Sequence, residues 1–277
     1  MIRSQMRWPG HKLKAVTLSY DDGVNHDKRL VEIMKKNGLK GTFNINSGSF
    51  PQESGWRMTA EEAVQVYNDG GMEVATHGFK HVSLANVDSA IGVNDVIQDR
   101  IALENLFGRI IKGMAYANGS MDDNVVSMLK MCGIEYARTV VSTENFEVPT
   151  DWLRLNPTCH HNNRKLMELV DAFLASQPDP ARLHKYTPKL FYLWGHAYEF
   201  DNNDNWEVIE KFAEVIGNRD DIWYATNGEI YEYVTAFDRL RWSVDAKFVH
   251  NPSGMDVCIF CNKKDYLVKS GETIKID

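Results

Sequence analysis

The chain has 277 residues, of which 43% are hydrophobic and 25% charged, and its formal charge is −7 at pH 7. This composition is typical of a globular protein with one large α/β domain, and the acidic balance argues against nucleic acid or anionic lipid as a partner. No apolar stretch is long enough to cross a bilayer, and the N-terminus lacks the apolar segment of a secretory signal. We therefore expect a cytoplasmic protein without a membrane partner.

Short apolar runs alternate with amphipathic segments from residue 12 onward. Strands are predicted at residues 14–20, 41–46, 72–76, 110–117, 134–140, 152–155, 189–195 and 221–226. Helices are predicted at residues 27–38, 59–71, 88–107, 120–133, 164–176, 205–217 and 228–240. About seven strand-helix units indicate parallel strands with crossover helices, and they favour a closed or distorted barrel over a doubly wound sheet.

The pattern changes after about residue 240. Short strands separated by turns at Pro252, Gly254 and Gly271 replace the long helices. The sequence therefore predicts a barrel domain at residues 1–240 and a small C-terminal β appendage at residues 241–277, packed on the barrel.

The four cysteines are too few and too irregularly spaced for a disulfide scaffold. Cys258 and Cys261 lie in a predicted strand, where residues three apart point to opposite faces. No second Cys-x-x-Cys is present to complete a zinc site. We expect these two cysteines to be structural.

Polar residues stand at the ends of the predicted strands. Asp21 and Asp22 end the first strand, and His77 and His81 follow the third. Two imidazoles and one carboxylate suit zinc, cobalt, nickel or iron, and neighbouring aspartates in an extended chain point to opposite sides, so one could bind metal while the other acts as a base. Asp-Asp-Gly is also a common turn or helix cap, and two histidines at this spacing are often surface residues. Their coincidence at one rim of one barrel favours a metal site.

A late strand ends at His196 in an aromatic stretch. Trp194 and Tyr198 could offer ring faces to a sugar, although core packing explains about half of such rings. His160 and His161 follow another predicted strand end and either line a substrate cleft or belong to an ordinary loop.

The segments "TLSYDDG", "THGFKH" and "LWGH" resemble motifs of the polysaccharide deacetylases, which are carbohydrate esterase family four with its NodB homology domain. The resemblance extends over about residues 12–240. It implies a distorted (β/α)7 barrel and hydrolysis of N-acetyl or O-acetyl groups on sugars with a divalent metal, zinc before the others. An acetylated carbohydrate is thus the expected substrate, and protein partners stay open.

The resemblance also implies a role for each matching residue. Asp21 corresponds to the catalytic base and Asp22 to a metal ligand. His77 and His81 correspond to the other two ligands, and His196 to the general acid.

Several positions depart from the family pattern. Gly78 stands where the family usually has Ser or Thr, and Ala115 stands where it has an arginine that orients the base. Asn118 occupies the position whose backbone N–H contributes to an oxyanion hole, a role that any side chain permits. Arg138 and Arg154 are the two candidates to replace the missing arginine, and each is equally well explained as an ordinary salt-bridge residue.

Three functions follow from these residues. The first is a metal-dependent deacetylase acting on carbohydrate. The second is a hydrolase of the same fold acting on a non-carbohydrate amide. The third, a carbohydrate-binding pseudoenzyme, is suggested by the altered third motif, but the retained aspartates and histidines argue against it.

Overall fold

The structure, a computed structural model, describes residues 4–177, 181–182 and 186–277. The helices of this part of the chain are α1 (Asp27–Lys36), α2 (Ala60–Gly70), α3 (Ser89–Phe107), α4 (Asp123–Met131), α5 (Leu166–Ala175), α6 (Tyr198–Asn202), α7 (Glu207–Ile216) and α8 (Asn227–Asp238). The strands are β1 (Gln5–Arg7), β2 (Lys14–Asp21), β3 (Gly41–Ile45), β4 (Glu73–Thr76), β5 (Gly113–Ala115), β6 (Tyr136–Arg138), β7 (Cys159–His160), β8 (Lys189–Gly195), β9 (Ile222–Tyr224), β10 (Arg241–Trp242), β11 (Phe248–His250), β12 (Val257–Cys261), β13 (Lys264–Val268) and β14 (Thr273–Lys275). None of the described helices meets the length and apolarity that a membrane span requires.

The main sheet is parallel and has the order β6-β5-β4-β3-β2-β8-β7. One flank of β2 is shared, because β9 pairs with its first three residues and β3 pairs with its last four. The sheet curls into a half-barrel, and a bridge between Arg138 and Leu155 brings the β6 edge towards the segment that leads into β7. The α/β class and the curled parallel sheet that the sequence predicts are confirmed.

The central strand β2 is buried along its whole length, and its side chains alternate between two environments. Val16, Leu18 and Tyr20 pack into the main core together with residues of α1 and α7. Ala15 packs into a separate core on the other face. Asp21 has the same parity as Ala15, so it points to the face opposite the core that β2 forms with α1 and α7.

Two small antiparallel sheets accompany the barrel, with the orders β1-β12-β13 and β10-β11-β14. Met6 of β1 pairs with Ile259 of β12, so the first sheet joins both ends of the described chain. Ala236 of α8 is part of the apolar cluster beneath these sheets. The boundary between residues 240 and 241 stays a prediction, and β1 was not predicted.

Local signals explain where several elements begin and end. Thr59 and Glu62 form a capping box at the start of α2, and Gly71 ends that helix with a φ of 66°. The predicted strand at residues 152–155 is wrong, because Trp152–Arg154 forms a 3₁₀ turn and only Leu155 pairs with β6. The pairing therefore begins three residues after the predicted start of the strand.

Candidate functional site

Five parallel strands deliver polar groups to one rim of the barrel. β2 ends at Asp21, β4 ends immediately before His77, and β6 ends at Arg138. β8 ends immediately before His196, and β5 leads into the turn that contains Asn118. Because the carboxyl ends of parallel strands share one edge, residues that are far apart in sequence meet there.

Asp22, His77 and His81 form a group that could hold a metal ion, with their ligand atoms within 4.8 Å of one another. The Oδ1 atom of Asp22 lies 3.9 Å from Nε2 of His77 and 3.7 Å from Nε2 of His81. Two imidazoles and one carboxylate are a donor set that zinc accepts, with positions left open for water and substrate. The residues present therefore fit a divalent metal.

Left-handed backbone recurs at this rim. Asp22, His81 and Asn118 have φ values of 82°, 56° and 57°. Such conformations cost free energy in residues other than glycine and collect at functional sites. The backbone N–H of Asp22 donates to the carbonyl of Asn44 at 2.9 Å. The left-handed turn at Asp22 directs the side chains of Asp21 and Asp22 differently.

His77 is fixed by its second ring nitrogen. Nδ1 donates to the backbone carbonyl of Ala115 at 2.8 Å, which leaves Nε2 directed at Asp22. The buried carboxylate of Asp99 accepts from the backbone N–H of His77 at 3.2 Å and from that of Ser47 at 2.8 Å. Burial raises the pKa of Asp99 to about 6, although these hydrogen bonds oppose the shift.

The loop between the two histidines leaves no room for a side chain at Gly78. Its φ is 82°, and a Cβ atom there would lie 2.5 Å from Oδ2 of Asp95. Oδ1 of Asp95 accepts from the backbone N–H of Lys80 at 2.9 Å, so this carboxylate ties α3 to the loop. The departure from Ser or Thr at Gly78 thus has a local cause.

Asp21 is almost fully buried and bound on both oxygens. Arg138 donates to Oδ2, and the side-chain amide of Asn44 donates to Oδ1 at 2.8 Å. Burial alone would raise the pKa of Asp21, but Arg138 and the neighbouring His77 and His196 outweigh it and lower the pKa to about 2. The carboxylate is therefore held ionised.

Only one of the two arginine candidates meets Asp21. Arg138 is completely buried, with its guanidinium 4.3 Å from the ring centroid of Trp194. Arg154 instead pairs with Asp123 and Asp151 at the surface, because its 3₁₀ turn directs it outwards. Arg154 therefore does not contact Asp21 in this structure.

His196 reaches Asp21 from the neighbouring strand. Its Nε2 lies 3.8 Å from Oδ2 of Asp21, and its Nδ1 lies 3.3 Å from Oε1 of Glu199. Burial would lower the pKa of His196, but contact with Glu199 and the charge of Asp21 raise it. The sequence analysis missed Glu199, although a carboxylate three residues after a histidine at a helix start was a usable signal.

The predicted substrate-lining residues occupy different depths. His161 is 1% exposed, and its ring centroid lies 4.1 Å from that of Phe200. Its Nε2 lies 2.8 Å from Oε2 of Glu199, so His161 is behind the rim. Trp194 is also buried. Tyr198 is partly exposed and its ring lies 5.4 Å from that of Trp56, an exposed tryptophan that the sequence analysis did not single out.

The remaining predicted features are simpler. Asn118 is exposed at the rim, and its side-chain amide donates to the hydroxyl of Ser83 at 2.9 Å. Cys258 and Cys261 lie in β12, and both are free and buried. Neither cysteine belongs to a candidate metal group of the described residues.

The fold and the rim define an α/β barrel protein with a candidate metal centre. Residues 10–137 match the family model described as polysaccharide deacetylase. These residues, slightly less than half of the chain, carry the similarity to the polysaccharide deacetylases, carbohydrate esterase family four.

Individual relatives are similar to different lengths of the chain. A chitin deacetylase from Pestalotiopsis sp is 24% identical over 135 residues, 48% of this chain and 44% of that protein, so the matched part spans less than half of this relative. A polysaccharide deacetylase candidate from Mycobacterium smegmatis has a similar structure, with a TM-score of 0.60, 18% identity and coverage of 84% of this chain and 94% of its own. A family 4 carbohydrate esterase from Streptomyces lividans in complex with acetate is similar with a TM-score of 0.53 and 16% identity. The similarity covers 77% of this chain and 93% of that one.

Proposed function

We propose that this protein is a zinc-dependent deacetylase that removes N-acetyl or O-acetyl groups from a carbohydrate. The observation that carries the proposal is the convergence on one rim of a metal-binding trio (Asp22, His77, His81), an ionised carboxylate at Asp21 and an imidazole at His196. A relative solved with acetate and a chitin deacetylase relative support the acetyl group as the target.

Each residue then has a task in the hydrolysis. The bound metal would lower the pKa of a water molecule and polarise the acetyl carbonyl. Asp21 takes the proton of the attacking water, and Arg138 and Asn44 hold its carboxylate in place. His196, whose pKa is raised, donates a proton to the leaving nitrogen or oxygen. The backbone N–H of Asn118 donates to the developing oxyanion.

The test compares wild type with Asp21→Asn for acetate release from N-acetylated chitooligosaccharides and for bound metal. We expect activity to fall about 100- to 10,000-fold while the metal is retained. The control is Asp69→Asn, at an exposed position of α2, which should behave as wild type. Equal activity in Asp21→Asn would overturn the assignment of the base.

A carbohydrate rather than a small amide is favoured by Trp56. This ring is 51% exposed and contacts Tyr198, whose ring lies 5.3 Å from that of His196. An exposed aromatic pair beside a reactive centre offers a face for a pyranose ring. Trp56→Ala should raise KM for oligosaccharides and leave a small acetyl ester unaffected, whereas Phe248→Ala, an exposed aromatic of the C-terminal appendage, should change neither. If KM for both substrates is unchanged in Trp56→Ala, Trp56 does not contribute to binding of the sugar.

A further inference from the structure

The segment that follows β3 lies against residues 77–81, the metal-binding loop that carries both histidines of the trio. β3 ends at Ile45, whose carbonyl still accepts the backbone N–H of His77 at 2.9 Å. The pairing of β3 with β4 ends there, because the chain turns left-handed at Gly78, where φ is 82°. Asn46 comes next after Ile45 and is 1% exposed. It therefore lies where regular strand pairing gives way to the metal-binding loop.

The side-chain amide of Asn46 donates to two consecutive carbonyl groups of this loop. Its Nδ2 atom lies 2.8 Å from the carbonyl oxygen of His77 and 2.7 Å from that of Gly78. A primary amide has two N–H donors, so both are used here. The Oδ1 atom of Asn46 is buried and has no hydrogen-bond partner among the described residues. The donors of this side chain, and not its acceptor, therefore connect it to the loop.

The hydrogen bonds of Asn46 extend to the second histidine. The carbonyl of Gly78 also accepts the backbone N–H of His81, at 3.5 Å, which closes the turn between the two ligands. The φ of His81 is 56°, so this turn is left-handed at both of its ends. The His81 side chain is 32% exposed, so its direction depends more on the backbone than that of the buried His77 does.

The two residues after Asn46 contact the same loop. The backbone N–H of Ser47 donates at 2.8 Å to Asp99, the buried carboxylate that also accepts from the metal-binding loop. Gly48 lies so close to the loop that a Cβ atom at this position would overlap the carbonyl oxygen of Phe79. Residues 46–48 thus contact the metal-binding loop at three consecutive positions, and Asn46 makes the contacts nearest to its histidines.

We propose that Asn46 is a positioning residue of the metal site, whose amide sets the turn between His77 and His81 so that both imidazoles meet one ion. This role rests on the proposed function, because it takes both histidines as metal ligands. Functional groups must be held within about 0.5 Å of their productive geometry, so loss of two hydrogen bonds to the turn should weaken metal binding.

Asn251 offers a matched control in the C-terminal appendage. It is fully buried, and its Nδ2 atom donates to the carbonyls of Met255 at 2.8 Å and Val268 at 2.9 Å. Replacing either asparagine with alanine removes a pair of hydrogen bonds from a buried amide to the backbone, so both variants should lose stability. Only Asn46→Ala disturbs the metal-binding loop.

The test measures Co²⁺ binding, since cobalt occupies sites that suit zinc and its visible absorption depends on the arrangement of its ligands. Asn46→Ala should bind Co²⁺ about 10- to 100-fold more weakly than wild type and change the absorption of the bound ion, whereas Asn251→Ala should change neither. In the metal-free proteins, residues 77–81 should exchange their amide hydrogens faster in Asn46→Ala alone. Asn46→Ser, which retains one donor, is a milder second variant, and thermal unfolding checks that each variant folds.

Wild-type affinity and absorption in the folded Asn46 variants would overturn the proposal, as would equal changes in Asn251→Ala. A wild-type chain that binds no Co²⁺ would overturn both this role and the proposed function. Acetate release is measured separately on the same proteins. If wild type binds Co²⁺ but releases no acetate from any acetylated carbohydrate, the proposed function fails, while the cobalt and exchange data still decide the role of Asn46.

Discussion

The two sides of Asp21 differ in origin and in how they are held. On the metal side, Asp22, His77 and His81 come from β2 and the loop after β4, within residues 10–137 that match the family model. On the acid side, His196 and Glu199 come from β8 and α6, outside the matched residues. The metal side is fixed by backbone carbonyls and a buried carboxylate, and the acid side by mutual contact of imidazoles and one carboxylate. The two sides of Asp21 therefore differ in whether they lie within the residues that match the family model.

The largest expected effect breaks the metal side. His81→Ala removes one ligand from a partly exposed position, so folding should persist. Because a metal supplies several kcal/mol of transition-state stabilisation, acetate release should fall at least about 1,000-fold at one equivalent of zinc. Metal content and kcat measure this, with His250→Ala in β11 as the control. Full activity in His81→Ala would contradict the assignment of Asp22, His77 and His81 as the metal ligands.

The next largest effect concerns Asp21, which lies between the metal side and the acid side. Arg138→Met leaves the Asp21 charge buried without its partner, which should lower the free energy of unfolding by about 3–5 kcal/mol. The pKa of Asp21 should rise, since Arg138 is the main cause of its lowering against burial. Urea unfolding measures the change. Arg154→Met, which breaks only surface pairs, is the control, and an equal loss in both variants would contradict the distinction.

A smaller effect is expected on the acid side. Glu199 contributes to raising the pKa of His196, so Glu199→Gln should lower that pKa. The acid is active below its pKa and is lost as pH rises through it, so the alkaline limb of the kcat profile should move to lower pH. The loss should stay below about 100-fold because the acid itself is retained. Glu207→Gln, exposed on α7, is the control, and an unmoved limb would contradict the role of Glu199.

The smallest effect tests the loop between the metal ligands. Gly78→Ala combines left-handed strain with a close approach to Asp95 and should cost about 1–3 kcal/mol of stability. The double variant with Asp95→Ala should recover part of that cost, which a double-mutant cycle measures. Gly254→Ala, where a Cβ atom meets nothing within 4 Å, should be nearly neutral. Strict additivity of the Gly78 and Asp95 changes would contradict the steric explanation.

The sequence predicted the parts of the site that depend on strand ends. Asp21, Asp22 and His77 directly follow apolar runs, and parallel strands must bring such positions to one edge. The curled sheet followed from the regular alternation of strands and helices. These features need only local patterns and one topological rule.

Other parts depend on contacts that no local pattern records. Asn44 lies inside a strand and Asp99 inside a long helix, and no local pattern indicates that either contacts the site. The choice between Arg138 and Arg154 depended on whether residues 152–154 form a strand or a turn. Pairing of β1 with β12 joins segments about 250 residues apart, beyond any periodicity argument.

Trp194 has a consequence for measurement. One of its contacts is the guanidinium that holds Asp21, at 4.3 Å, and another is the ring of His160, at 4.5 Å between centroids. The fluorescence of this indole should change when the charge beside Arg138 or His160 changes. With the other tryptophans replaced by phenylalanine, Trp194 emission would become a label-free optical reporter of events at the rim.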